Sequence, residues 1–264
     1  MTAPPRILIV AGSDSGGGAG IQADLKTVLA LSGYGMTAVT ALTAQNTQGV
    51  HEVMAVPPGF VRRQMRVVLD DLGADAIKTG MLKDAGIIAA VAAELPAGVP
   101  LVVDPVMIAK GGAALLDIAA IDALKQLLLP RTHVLTPNLP EAEALLGIEI
   151  IDLDGMKRAA ELLLGLGPAA ILLKGGHLPG DMVHDVLIDR RGLQVFSAPR
   201  IASRHTHGTG CTLASAVATG LGAGLALSDA VVRARDYVRE AIRTAPGFGH
   251  GHGPLGHGHT VGPF

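Results

Sequence analysis

The sequence predicts an α/β fold: one central, mostly parallel sheet covered by helices on both faces. Three observations lead there. Short aliphatic runs alternate with longer helical patterns along the chain, the mark of βαβ units. Several of these runs end in glycine-rich loops, at 12–20, 111–112, 175–176 and 208–210. No internal repeat or linker-like shift of composition divides the 264 residues, so a single domain over 1–264 is expected, with a loosely ordered Gly/His-rich tail at 246–264.

Residues 6–10 are a β-branched run read as a buried strand. From 20 to 32, Ile21, Leu25, Val28 and Leu29 fall on one helical face. A second strand is expected at 36–43, an amphipathic helix at 59–72 and a short strand at 76–79. A helix follows from Asp84 to Leu95, stopped by Pro96, then a strand at 101–103. The helix predicted at 118–129 ends against Pro130, and a strand at 133–135 leads to a short helix at 139–146. A helix at 154–165 and a strand at 170–174 come next. Runs 183–188 and 193–197 flank Arg190-Arg191-Gly192 and read as a hairpin. Helices at 209–221 and 228–244 close the pattern.

Composition removes whole classes of function. There are four Phe, two Tyr and no Trp, too few for a stacking platform on single-stranded nucleic acid. With 21 basic and 23 acidic residues, there is no phosphate-backbone footprint, and no nucleic-acid partner is expected. A single cysteine excludes an intrachain disulfide framework and a Cys-cluster zinc site. Two stretches, 27–51 and 205–228, lack charged residues, and Gly220 and Gly224 have the spacing of membrane helix pairs. Both are broken by Thr, Ser and Gly and read as buried core of a large domain, so no membrane partner is expected. The apolar run near the N-terminus is too short for a signal peptide, and a cytoplasmic setting is the expectation.

In open parallel sheets, ligands sit beyond the C-terminal ends of the strands. Four such loops stand out. In the first, Gly18-x-Gly20-x-x-Ala23 matches a dinucleotide fingerprint only formally, because the turn is too long and no ribose-binding acid follows. The second is Asp104-Pro105-Val106-Met107 followed by Lys110-Gly111-Gly112, a strand-end acid ahead of a candidate flap at 109–114. A strand-end Asp is equally a turn cap. In the third, Asn138 either caps the helix that Pro140 opens or serves a ligand. Glu141 lies in the first turn, where the helix dipole and a metal would each favour an acid. The fourth is His207-Gly208-Thr209-Gly210-Cys211-Thr212, where backbone N–H groups of Gly208 and Gly210 can converge on an anion at a helix start. Cys211 sits in that field, which lowers a thiol pKa, or it is a buried structural residue. Lys174-Gly175-Gly176-His177 adds a cation at another strand end. An anion hole, two acids and lysines are the inventory of magnesium-assisted phosphoryl transfer.

At this point the segments are similar to those of a known family. Gly12-Ser13-Asp14 with Gly16-Gly17-Gly18-Ala19-Gly20-Ile21-Gln22-Ala23-Asp24, Gln45-Asn46-Thr47, Lys78-Thr79-Gly80-Met81, Asp104-Pro105-Val106-Met107, Thr136-Pro137-Asn138 to Glu141, Lys174-Gly175-Gly176-His177 and Gly208-Thr209-Gly210-Cys211 follow one another in its order. They resemble the hydroxymethylpyrimidine/phosphomethylpyrimidine kinases of thiamine biosynthesis, in the ribokinase-like superfamily. The resemblance implies a ribokinase-like three-layer α/β/α fold, ATP and Mg²⁺, successive phosphorylation of 4-amino-5-hydroxymethyl-2-methylpyrimidine and its monophosphate, and a homodimer. It places Gln45 on the pyrimidine edge, Asp24 near the substrate hydroxyl, and Gly12, Ala19, Met81 and Val106 against the ring. It assigns Asp104 and Glu141 to magnesium, and Lys174, Thr209 and Asn138 to the nucleotide. Cys211 falls where sugar kinases of the superfamily carry an Asp base. Departures are Ser15-Gly16 for the usual Pro-Ser, Gly111 for a common Ser, and Thr79 for a frequent Ile. Pyridoxal kinase, of the same superfamily, is the alternative. A cysteine hydrolase using Cys211 with His205 or His207 lacks an evident orienting partner. A metal-handling role would rest only on His250, His252, His257 and His259 of the tail.

Overall fold

The computed structural model describes residues 3–107 and 118–262. The flap expected at 109–114 lies outside the described residues. Nine strands form one sheet: β1 (Arg6–Asp14), β2 (Tyr34–Gln45), β3 (Val50–Ala55), β4 (Ala76–Thr79), β5 (Leu101–Val103), β6 (Val134–Leu135), β7 (Ala170–Lys174), β8 (Met182–Asp189) and β9 (Gly192–Pro199). Their order across the sheet is β3-β2-β1-β4-β5-β6-β7-β8-β9. The six strands from β2 to β7 are parallel, and β3, β8 and β9 run antiparallel to their neighbours or to one another at the margins.

The chain builds outward from β1 in one direction to β2 and then in the other to β4. That reversal opens a crevice between the C-terminal ends of β1 and β4, the position at which open sheets bind ligands. Alternation along β1 explains why both faces are covered. Ile7, Ile9 and Ala11 point to α1 (Gly20–Ala30), α7 (Thr209–Gly222) and α8 (Leu227–Arg243). Leu8 and Val10 point to the other layer, α2 (Pro58–Asp71), α3 (Ala85–Glu94), α4 (Ile118–Ala123), α5 (Leu139–Leu146) and α6 (Leu153–Leu164). All five are buried, and Ile7, Leu8, Ile9 and Val10 are each worth about 1.5–3 kcal/mol of burial.

Sequence and structure differ in four places. β3, which pairs with the end of β2, was not anticipated, because its charged and exposed residues break the apolar alternation. The helix expected at 118–129 passes into a π turn at Leu124–Leu128 and a 3₁₀ turn at Leu129–Arg131, where Pro130 has no N–H to continue the ladder. The buried face of α1 is Ala23, Asp24, Thr27 and Val28, whereas Leu29 is 72% exposed. The apolar spacing misplaced that face because a buried Asp is invisible to it. Finally, the segment expected to be a loose tail is laid against the body. Leu255 and His257 are buried, and His257 Nε2 meets Thr212 Oγ1 at 3.0 Å. Its imidazoles point to separate partners: His252 Nδ1 to Arg204 O and His259 Nδ1 to Gly256 O.

Candidate active site

The loop after β1 is wound around one carboxylate. Asp14 Oδ1 accepts the Gly16 N–H at 2.8 Å, while Oδ2 accepts Ala19 N–H at 2.8 Å and Gly18 N–H at 3.1 Å. His207 Nε2 donates to the same Oδ2 at 2.9 Å, across 193 residues of sequence. Burial pushes the Asp14 carboxyl upward, but the bonds from His207, Ala19 and Gly16 outweigh it, and the group is held below the usual carboxylate range. Asp14 was not singled out from sequence. The available signal was an Asp ahead of consecutive glycines, the chemistry of an Asx turn. The Ala19 N–H is thereby committed inside the loop.

Where β5, β6 and β7 end, the expected polar groups come together. Lys174 Nζ donates to Asp104 Oδ1 at 2.9 Å, and Thr136 Oγ1 reaches the same oxygen at 3.4 Å. Asn138 and Glu141 form a capping box on α5: Asn138 Oδ1 accepts the Glu141 N–H at 2.9 Å and Glu141 Oε2 accepts the Asn138 N–H at 2.8 Å. Asn138 caps α5 through Oδ1, and Glu141 is buried beside Asp104 and Lys174. Burial first, and then the charge of Asp104, push the Glu141 carboxyl upward against the pull of Lys174. Lys174 is largely withdrawn from water, which lowers an amine, yet Asp104 and Glu141 hold it above its ordinary value. A cation ties two acids that would otherwise repel.

α7 begins against this cluster. Gly208 is its N-cap, with φ of +85°, and a Cβ there would lie 1.9 Å from Gly18 O. No other residue lets the two glycine loops touch. A Cβ on Gly210 would fall 3.1 Å from Lys174 Nζ and 3.5 Å from Asp104 Oδ2. The first N–H groups of a helix have no acceptor within it, so this start faces the lysine–acid cluster with open donors. Thr209 Oγ1 is used on Thr206 O at 3.1 Å. Of the two readings open for Cys211, the raised one is favoured: loss of hydration at this half-buried residue pushes its thiol up to about 12, with Lys78 resisting and Asp24 and Asp104 adding to the rise. Desolvation here works against the anion-favouring helix end and favours the thiol form.

Between these groups and β2 lies an apolar floor. Met81 and Ala41 are buried together, with Val53 and Val106 packed against them. A Cβ on Gly12 would meet Met81 Cε at 2.5 Å, so Gly12 and Met81 touch across the β1–β4 crevice. Val106 takes φ of +37°, a conformation that costs a β-branched residue roughly 1–3 kcal/mol and marks functional positions. Gln45 closes the far side, its carboxamide 3.1 Å from His207 Nε2 and 3.2 Å from Thr43 Oγ1. Asp24 is a correction. It has no accessible surface, and its oxygens are taken by Lys78 Nζ at 2.8 and 2.9 Å and by Ser215 Oγ at 2.7 Å. In this arrangement it lies beneath the site and cannot touch a ligand. Lys78 and Ser215, like His207 as a partner of Gln45, were missed because contacts across 54 to 191 residues leave no local pattern.

Among the described residues no group of three or more His, Cys, Asp or Glu is arranged to hold a metal. Asp104 and Glu141 nevertheless suit magnesium. It takes hard oxygens, uses one or two carboxylates, and completes its shell with water and phosphate. The mutual repulsion of the two buried acids is the demand such a cation would meet. No helix among the described residues is long and apolar enough to cross a membrane.

With that geometry in place, comparison with known proteins is informative. The family model described as phosphomethylpyrimidine kinase matches residues 14–256. A hydroxymethylpyrimidine/phosphomethylpyrimidine kinase of Streptomyces coelicolor is 51% identical over 98% of this chain and 96% of its own. A bifunctional thiamine biosynthesis protein of Geobacter sulfurreducens is 53% identical over 95% of this chain, which spans about half, 52%, of that relative's length. The pyridoxal kinase of Staphylococcus aureus, solved with AMP-PCP and pyridoxal, superposes with a TM-score of 0.89 at 34% identity, over 97% of this chain and 94% of that one.

Proposed function

The chain belongs to the phosphomethylpyrimidine kinase family, and from that premise we propose that it moves phosphoryl groups from ATP onto 4-amino-5-hydroxymethyl-2-methylpyrimidine and then onto the monophosphate. The ribokinase-like α/β/α architecture and a kinase activity go with the family. One observation carries the substrate-level reading: the start of α7, at Gly210, sits against the Lys174–Asp104 pair. It brings anion donors, a cation and an acid to one end of the sheet, beside an apolar floor.

In this proposal the ring lies on Gly12, Ala19, Met81 and Val106, with its polar edge on Gln45. Lys174, Thr209 and Asn138 face the nucleotide, and Gly208 and Gly210 with the Cys211 N–H receive the transferred group. Asp104 and Glu141 would hold Mg²⁺, which when bound neutralises charge on the phosphates. Phosphoryl transfer with a loose transition state asks the protein mainly for positioning and charge. That suits a site whose Cys211 sulfur is a thiol rather than a ready base. The second transfer needs no base, since a phosphate monoester oxygen is already ionised near pH 7. Asp24 acts from beneath by holding the charged Lys78, whose field reaches Cys211. The proposal extends to a homodimer in the cytoplasm, which light scattering on the purified chain checks for assembly.

Likeness to a pyridoxal kinase at a TM-score of 0.89 favours pyridoxal as a second substrate. ATP consumption measured with each ring, with and without magnesium, tests the assignment. Turnover of the hydroxymethylpyrimidine that depends on magnesium is expected. Turnover of pyridoxal alone would reverse the order of the two readings.

A further inference from the structure

The carboxamide of Gln45 has two neighbours inside the protein, and each has its hydrogen-bonding role already fixed. On one side is His207 Nε2. Its other partner, at 2.9 Å, is Asp14 Oδ2. That carboxylate also accepts three backbone N–H groups and is held ionised, so it can only accept. His207 Nε2 must therefore carry the proton, in either charge state of the ring. On the other side is Thr43 Oγ1. Its single hydrogen goes to the Ser13 carbonyl at 2.9 Å, which can only accept. Towards Gln45 the hydroxyl has only a lone pair left.

We propose that this network fixes the polarity of the Gln45 amide: oxygen towards the His207 N–H and nitrogen towards Thr43 Oγ1, so that His207 and Thr43 set which ring edge the site accepts. An amide end is oxygen or nitrogen according to the partners it must satisfy. The structure places Gln45 Nε2 beside His207 Nε2 at 3.1 Å and Oε1 beside Thr43 Oγ1 at 3.2 Å; in that order two N–H donors face each other, and at Thr43 two oxygens meet with no hydrogen between them, so the amide is assigned the other way round. The separations agree, since 3.2 Å at Thr43 is long for O–H···O and ordinary for N–H···O.

Each end of the amide keeps one free function. The oxygen retains a lone pair and the nitrogen a second hydrogen. A ring edge that accepts at one atom and donates at the next, as the ring nitrogen and 4-amino group of an aminopyrimidine do, pairs with that order. A 4-oxo isostere carries the reverse order, a ring N–H beside a carbonyl. It would be met donor to donor unless the amide turned over, and turning breaks both internal bonds. His207 and Thr43 are thus positioning residues for specificity. The inference rests on the reading of Gln45 as the ring contact.

The test compares kcat/KM for 5-hydroxymethyl-2-methylpyrimidine carrying a 4-amino or a 4-oxo group. It uses the full chain and its Thr43→Val, His207→Phe and Gln45→Ala variants. The parent should prefer the amino ring by about 10⁴-fold, as sites built around a hydrogen-bond pattern do. Thr43→Val and His207→Phe should each cut that preference about tenfold or more, through KM for the rings, with KM for ATP unchanged. If His207→Phe fails to fold, Thr43→Val decides alone, because it keeps the Asp14–His207 pair. A preference that survives Thr43→Val intact, while Gln45→Ala abolishes it, overturns the polarity network and leaves Gln45 as the ring contact. A preference that survives Gln45→Ala shows instead that the ring-contact reading is wrong, and the inference falls with it.

Discussion

Lys78 Nζ lies 2.8 Å from Asp24 Oδ2 and 2.9 Å from Oδ1, and neither side chain has any surface open to water. Burial works against the lysine's charge, but the Asp24 carboxylate first, and Asp104 beyond it, hold its pKa above the ordinary value. Breaking such a pair strands an uncompensated charge, which costs about 3–5 kcal/mol. Lys78→Met should therefore unfold at markedly lower urea concentration. Lys78→Met with Asp24→Asn should recover part of the loss. Equal stability of the single and double variants would mean that the pair is not charged.

Cys211, half-buried at the start of α7, offers a chemical readout of its surroundings. With its thiol pushed up to about 12, alkylation by iodoacetamide should be slow at pH 7–8 and keep rising with pH to the alkaline limit of the fold. Mass spectrometry of the labelled chain follows it directly. A rate that levels off near neutrality would mean a stabilised thiolate, and would restore Cys211 as a base for the alcohol step.

Gly208→Ala tests the contact between the two glycine loops. A methyl would enter the space of Gly18 O, at a residue whose φ is +85°. Loss of about 1–3 kcal/mol and near-complete loss of turnover are expected. A variant with parental melting temperature and activity would show that the loops do not meet this closely.

The buried C-terminal segment makes stability depend on pH. Burial, with the nearby charge of Lys26, lowers His257 to about 4. An unfolded histidine titrates near 6.5. Below that pH the unfolded chain takes up a proton that the folded chain refuses. Stability from this group is thus complete above about 6.5 and drains away as pH falls towards 4, by about 3 kcal/mol at most. Urea titrations across that window should show a shallower slope in His257→Gln. Parallel slopes would mean the ring is already protonated or exposed in the folded protein.

What sequence made legible follows from locality. Strands Ala76–Thr79, Leu101–Val103 and Ala170–Lys174 and helix Leu139–Leu146 were readable to the residue, since buried strands are aliphatic runs and helix caps act over three residues. The strand-end cluster of Asp104, Glu141 and Lys174 was readable because parallel topology gathers such ends. Asp14–His207 and Asp24–Lys78 were not, because side-chain pairs 193 and 54 residues apart are made by topology alone. Cys211 was placed rightly at a helix start, but its pKa depends on how deeply it is buried, which no local pattern records.

The central claim is successive phosphorylation of one ring at this site. The most direct measurement is phosphorus NMR of the hydroxymethylpyrimidine incubated with the protein, ATP and magnesium. The account predicts a monophosphate resonance that rises and then falls as the two resonances of a diphosphate replace it. A monophosphate that accumulates without further change, or a ring that never gains phosphate while pyridoxal does, would contradict it.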